Sequence, residues 1–165
     1  MSETAPPISG EDRIEALRER VLADPTARTH GLHGTSHWDR VERNGLYLCR
    51  FVPADATVVR LFSLLHDCQR RNDHIDPEHG PRAVAYVEAL GREALGIDAA
   101  QWVLLERAMR FHTNGTDPDD ITVSVCWDAD RLDIGRVGMP VLARFLFNDE
   151  AIRIAAEKDF SALEH

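Results

Sequence analysis

The chain has 165 residues, enough for one domain whose hydrophobic core needs no disulfide framework. Its 19 Lys and Arg against 28 Asp and Glu give a net charge of −9, so neither a nucleic-acid polymer nor an anionic membrane surface is an expected partner. The three cysteines form no C-x-x-C pair, which argues against a zinc finger. No apolar run suits a membrane span and the start lacks a signal-peptide pattern, so we expect a cytoplasmic protein.

The spacing of apolar residues predicts an all-α chain. Residues 1–8 are expected to be a flexible tail, residues 9–162 a single domain, and residues 163–165 an expression-tag remnant. Asp55 and Asp98 are predicted helix caps. No segment except 121–125 has the alternation of a strand, and the residues that follow it favour a helix. Predicted helices cover about 9–23, 36–51, 56–70, 81–90, 98–112, 121–134, 140–147 and 149–161.

Ionisable residues occur where these helices should be buried. The predicted helix 56–70 is apolar on most sides, yet it contains His66-Asp67. A buried carboxylate beside a buried imidazole is costly unless each has a partner. Adjacent helical residues point about 100° apart, so the two cannot simply satisfy each other, whereas a cation between them can bind both. The alternative is an Asp that caps a loop and a His at the surface.

Four further residues share this placement at helix ends or on apolar faces. Asp130 lies in a stripe formed by Val123, Cys126, Trp127, Ile134 and Val137, whereas Asp128 and Arg131 are expected to point away from it. Asp133, one turn from Asp130, is expected to orient a ligand or to pair with Arg136. A core or surface role is the alternative for any single histidine, but together these residues indicate a metal site. The other three are His37, His79 and His112.

The order His37, His66-Asp67 and Asp130 resembles the H…HD…D pattern of the HD superfamily of metal-dependent phosphohydrolases. The resemblance covers about residues 30–137 and includes Asp128-Ala129-Asp130-Arg131-Leu132-Asp133, a typical form of the last motif. It implies an HD-domain helical bundle with a metal site between core helices. By position, His37, His66, Asp67 and Asp130 match the ligands of a first ion. His79 and His112 match two further histidines of two-metal branches, in which the HD aspartate, here Asp67, bridges both ions.

Mixed imidazole and carboxylate ligands favour Mn, Fe, Co, Ni or Zn over Mg or Ca, so one or two divalent transition-metal ions are the expected cofactor. The resemblance implies a hydrolase that cleaves a small-molecule phosphoester, with a nucleotide as one candidate. Asp67 and Arg70 are the predicted catalytic residues, and Arg40 and Arg71 the predicted substrate-binding residues. Each arginine has a solvated position as its alternative.

Two other functions stay open at this point. The same six ligands bind two irons in the oxygenase branch of the superfamily, so a di-iron oxygenase is one alternative. A non-catalytic nucleotide-binding regulatory module is the other. The cyclic-dinucleotide phosphodiesterase branch is not supported, because Arg70 stands where that branch has Lys and its Gly-Tyr-Pro element is missing.

Overall fold

The computed structural model describes residues 10–164, so the expected tail at 1–8 and His165 lie outside the described residues. Within 10–164 there is no β-strand, which confirms the predicted all-α class. Short 3-10 segments lie at Arg92–Ala94, Asp133–Val137, Ala143–Phe145 and Ser161–Leu163. The α-helices of this range are α1 (Gly10–Ala23), α2 (Thr35–Leu48), α3 (Ala56–Leu65), α4 (His79–Leu90), α5 (Ala99–Phe111), α6 (Ile121–Leu132) and α7 (Asp149–Glu157).

Helix α3 is the centre of the bundle, in contact with α1, α2, α5 and α6. Its residues 58, 59 and 61–65 are all buried. The predicted cap is confirmed, since the Asp55 carboxylate accepts hydrogen bonds from the backbone N–H groups of Thr57 and Val58. Burying each large apolar side chain stabilises the fold by about 1.5–3 kcal/mol. This packing fixes the C-terminal end of α3, where His66 and Asp67 follow.

Two glycines allow helices to approach closely near the polar residues. A Cβ atom on Gly80 would lie 2.5 Å from the backbone oxygen of Met109, so only glycine lets the start of α4 pack against the end of α5. A Cβ atom on Gly45 would lie 2.4 Å from Val59 Cγ1, at the contact of α2 with α3. In addition, Asn44 Nδ2 donates to the backbone oxygen of Ala129 at 3.0 Å and ties α2 to α6.

The predicted helix 140–147 is wrong, because only the 3-10 segment Ala143–Phe145 forms there. Side chains of α6 bind the backbone groups that a helix would pair. The Asp128 carboxylate accepts from the Phe147 N–H at 3.0 Å, and Arg131 donates to the Phe145 oxygen at 2.7 Å. The helices predicted at 36–51 and 56–70 are also too long, since α2 ends at Leu48 and α3 at Leu65.

The predicted orientation of α6 is only partly right. Asp128, expected to point away from the core, is fully buried, because the segment that leads into α7 covers that side of the helix. Its carboxylate accepts hydrogen bonds from Phe147 and Asn148. Ile134 and Val137, expected in the buried stripe, are 36% and 40% exposed, because α6 ends at Leu132.

The burial of Leu163 and the lengths of the helices bear on two of the predictions. Leu163, placed in the expected tag remnant, is buried and belongs to the hydrophobic core. Over residues 10–164, none of the helices combines the length and the apolar character that crossing a membrane requires.

Candidate metal centre

The six predicted ligands converge from five helix ends. His37 lies in the first turn of α2, and His79 is the first residue of α4. His66 and Asp67 directly follow α3, and His112 directly follows α5. Asp130 lies in the last turn of α6. The four imidazoles and Asp67 are buried, whereas the side chain of Asp130 is 22% exposed.

One set of ligand atoms, called the first cluster below, joins His37, His66 and Asp130 to Oδ2 of Asp67. The Nε2 atoms of His37 and His66 lie 3.2 Å apart. Oδ1 of Asp130 is 3.2 Å from the first and 3.6 Å from the second. Oδ2 of Asp67 lies 3.5 Å and 3.6 Å from the same two nitrogens. These are the four residues that the resemblance assigns to a first ion.

A second cluster joins His79 and His112 to the other oxygen of Asp67. Oδ1 of Asp67 lies 3.0 Å from His79 Nε2 and 3.6 Å from His112 Nε2. The two Nε2 atoms are 2.7 Å apart. The Asp67 carboxylate therefore stands between both clusters, one oxygen toward each. This is the arrangement that the resemblance implies for a bridging aspartate.

Every one of these histidines has its Nδ1 atom directed away from the clusters and onto an oxygen. His66 Nδ1 donates to the backbone oxygen of Phe62 at 3.0 Å, and His112 Nδ1 to that of Met109 at 2.7 Å. His79 Nδ1 donates to the backbone oxygen of Asp76. In the first cluster, His37 Nδ1 donates to Asp133 Oδ2 at 2.6 Å. A protonated Nδ1 leaves the Nε2 lone pair free, which is how metal-binding histidines are held in proteins.

Asp133 holds His37 in this orientation. Its carboxylate also accepts from Arg40 Nε at 2.7 Å and from Arg136. Burial would raise the pKa of Asp133, but the hydrogen bonds from His37, Arg40 and Arg136 lower it below its usual value. The expected pairing of Asp133 with Arg136 is confirmed, and the same carboxylate also orients the imidazole of His37, a predicted ligand. Arg40 thus contacts the partner of this predicted ligand.

Three carboxylates, those of Asp67, Asp130 and Asp133, surround the imidazole of His37. Burial alone would lower the pKa of His37, but hydrogen bonds to Asp130, Asp133 and Asp67 raise it to about 11. The pKa values of Asp67 and Asp130 lie well below the usual range, because nearby imidazoles outweigh the effect of burial. A positive charge, whether a proton or a metal ion, is therefore strongly favoured between these groups.

The donor atoms fit a metal ion. Oδ1 of Asp67 is buried and accepts no hydrogen bond from any residue in 10–164, although a buried carboxylate oxygen normally has a partner. Donors at about 2.1 Å from one ion lie about 3.0 Å apart at right angles and about 3.4 Å apart at tetrahedral angles, close to the distances in both clusters. Three overlapping groups could hold an ion: His33, His37 and Asp67; His37, His66 and Asp130; and His66, Asp67 and His112.

A cavity of about 440 Å³, called the site cavity below, opens onto these ligands. Four of the six line it, while His66 and His79 lie behind them. Arg70 also lines it, with Nη1 3.6 Å from Asp67 Oδ1 and 3.2 Å from His79 Nε2. The predicted substrate-binding residues Arg40 and Arg71 do not line this cavity. Arg40 is bound to Asp133, and Arg71 is exposed in the loop after α3.

His33 and Arg131 are among the residues of the site cavity that were not predicted. His33 Nδ1 lies 2.8 Å from Asp67 Oδ2, and Trp38 fixes the His33 backbone by donating from its indole nitrogen to the His33 oxygen at 2.9 Å. The signal in the sequence was a second histidine four residues before His37. Arg131, expected to point away, contacts the backbone oxygens of His112 and Gly115. No sequence pattern indicated these long-range contacts.

Comparisons with protein-family models, with curated proteins and with solved structures give no match for this chain. What the site does must therefore be inferred from its own residues and geometry.

Proposed function

We propose that the protein is a metal-dependent phosphohydrolase of the HD type, which cleaves a small-molecule phosphoester. One observation carries the proposal: four imidazole Nε2 atoms and two carboxylates converge at a cavity, and every Nδ1 of those imidazoles is already bound to an oxygen. With Nδ1 as the donor to these oxygens, each Nε2 can present its lone pair to a cation at the cavity. Four of these residues, His37, His66, Asp67 and Asp130, are those that the H…HD…D pattern assigns to a first ion, and His79 and His112 match the further histidines of its two-metal branches.

The first cluster would hold one ion and the second cluster another, with Asp67 as the shared ligand. Imidazole and carboxylate together suit Mn, Fe, Co, Ni or Zn. Ions of this kind lower the pKa of water and polarise phosphoryl oxygens. Arg70 adds a positive charge at the wall of the site cavity, where it would stabilise the charge that develops on the phosphoryl oxygens. Its guanidinium is fixed by hydrogen bonds to the backbone oxygens of Asn72 and His74.

Elemental analysis and a phosphate-release assay test this proposal. Protein purified without chelator should contain between one and two transition-metal ions per chain, and phosphate release from a phosphoester panel should require them. Arg70→Gln should lower kcat by about 10²–10³-fold, as loss of a charged stabilising group does. Arg43→Gln is the matched control, since Arg43 is exposed and lies outside the site cavity.

Two results would overturn the proposal. One is a protein that contains no metal and whose melting temperature does not rise when Mn or Zn is added. The other is metal-loaded protein that releases no phosphate from any ester of the panel. Binding of nucleotides without turnover would then favour the regulatory module.

The di-iron oxygenase remains the second candidate, because the bridging position of Asp67 and the four imidazoles suit two irons equally well. Ultraviolet-visible and Mössbauer spectra of anaerobically purified protein distinguish the two. Spectra of a di-iron centre that change on exposure to oxygen, without phosphate release, would favour the oxygenase.

A further inference from the structure

A second cavity lies beside the site cavity. It has a volume of about 460 Å³ and is called the apolar recess below. Residues 113–116 form one wall, residues 139–142 and 144–147 form the other, and Arg131 and Ile134 lie between them. Most of these side chains are apolar. Pockets of this size and character commonly bind the organic part of a small molecule.

The apolar recess is continuous with the site cavity. Thr113, Arg131, Ile134 and Met139 line both of them. Arg131 also holds the two walls in place, because it donates to the backbone oxygens of Gly115 and Phe145 at 2.7 Å each. Its third bond, at 3.3 Å, is to the backbone oxygen of the ligand residue His112. The recess is thus formed before any ligand binds, and its position relative to the clusters is fixed.

Within residues 10–164, the recess keeps apolar surface exposed without a partner. Met139 and Phe145 are 54% and 53% exposed, and Ile134 is 36% exposed. Apolar surface grouped in this way usually marks a binding site.

Its charge also fits an anionic ligand. None of the described residues that line it is acidic, although the whole chain carries a net charge of −9. Arg131 lies where the recess meets the site cavity, and Arg144 stacks over the Phe145 ring at 4.8 Å. A molecule with an anionic end in the site cavity and an apolar end in the recess would match both surfaces.

We propose that the apolar recess binds the organic group of the phosphoester and that this group is aromatic or aliphatic rather than a polyol. This inference rests on the proposed function, since it places the phosphoryl group in the site cavity. In hydrolysis, the oxygen of water bonds to phosphorus and the ester P–O bond breaks. A proton from that water passes to the departing oxygen, which leaves an alcohol or a phenol in the recess.

Two phosphonates test the recess without hydrolysis, because their P–C bond is not cleaved. Isothermal titration of the protein with its metal should give (1-naphthylmethyl)phosphonate an affinity at least about tenfold higher than that of methylphosphonate, as expected for an apolar pocket. Phe145→Asp should remove most of this preference. Phe51→Asp is the matched control, since Phe51 is 52% exposed and lies outside the recess. If Phe145→Asp fails to fold, Met139→Asp serves in its place.

Three outcomes would refute the recess as the site of the organic group. The two phosphonates could bind with equal affinity, or neither could bind. The preference could also fall as much in Phe51→Asp as in Phe145→Asp. Phosphate release is measured separately. Release without the naphthyl preference would overturn this inference alone, whereas the preference without release would support the recess and overturn the proposed hydrolase.

Discussion

Two aspartates in α6 should separate metal binding from folding. Oδ1 of Asp130 lies 3.2 Å from His37 Nε2, in the first cluster. Asp128, two residues earlier, faces the other side of the helix and accepts hydrogen bonds from Phe147 and Asn148 just before α7. Substitution of each by Asn changes the same chemical group in two different environments. We therefore expect opposite effects on metal content and on stability.

Asp128→Asn should lower stability and leave the metal in place. The carboxylate accepts from two backbone N–H groups and from Asn148 Nδ2, at 2.7–3.1 Å. An amide offers one acceptor oxygen and turns an NH₂ group toward the remaining donors. Disrupting buried hydrogen bonds of this kind costs about 1–3 kcal/mol. For a chain of this length the melting temperature should fall by about 2–4 °C for each kcal/mol.

Asp130→Asn should remove the first ion and leave the metal-free fold intact. Without metal, the carboxylates of Asp67 and Asp133 also lie 3.5 Å and 2.6 Å from nitrogens of the His37 imidazole. The side chain of Asp130 is 22% exposed, and an amide oxygen at this position can still accept a hydrogen bond from His37 Nε2, so the cost to the metal-free fold is small. The metal-dependent stabilisation, about 2.7 kcal/mol at a hundredfold excess of ion over Kd, should be lost from the first site.

Elemental analysis and thermal melts with and without EDTA measure both effects. Asp128→Asn should melt lower than the wild type in both conditions and keep its metal. Asp130→Asn should melt as the wild type does in EDTA and gain less from added Mn or Zn. The reverse result, with Asp128→Asn free of metal and Asp130→Asn fully loaded, would show that the ligand assignment is two residues out of register.

Three further predictions address the other ligands. His112→Ala should lose the second ion and keep the first. If the wild type holds two ions, elemental analysis of the variant should give about one ion per chain. An unchanged metal content would make His112 a substrate contact. Asp133→Asn should weaken binding of the first ion by about 10–100-fold in competition with a chelator, because His37 loses its orienting partner; an unchanged Kd would contradict that role. The pKa of His37 is raised to about 11, so this imidazole carries a proton throughout the neutral range without metal. The first ion should then release about one proton from it at pH 8, measured by titration calorimetry in buffers of different ionisation enthalpy.

The all-α class and the convergence of the six His and Asp residues could be predicted because both leave local signals. Apolar periodicity marks the helices, and an ionisable residue next to a fully apolar helix marks a site. His66 and Asp67 after α3 are the clearest example.

The surroundings of α6 could not be predicted in this way. A stripe of apolar residues predicts one buried face, but this helix is buried on nearly every side. Asp128 was predicted to be solvated because its partners, the backbone groups just before α7, are 19 and 20 residues away in the sequence. One of these partners, Phe147, lies in the predicted helix 140–147, which does not form. One error, the predicted helix 140–147, therefore hid both the role of Asp128 and the wall of the apolar recess.

The orientation of the histidine side chains could likewise be predicted only in part. His66 and His112 follow the last residues of α3 and α5, where backbone carbonyls lack intrahelical partners. Each Nδ1 binds a carbonyl of the last turn, three or four residues earlier, which directs Nε2 toward the clusters by local geometry alone. His37 stands in the first turn of α2, where free N–H groups rather than carbonyls occur. It therefore needs an acceptor from elsewhere, and Asp133, 96 residues away in the chain, supplies it. His79, the first residue of α4, instead finds a backbone acceptor in the preceding loop, the oxygen of Asp76. Among the four histidines of the two clusters, His37 alone thus depends on a carboxylate from a distant part of the sequence.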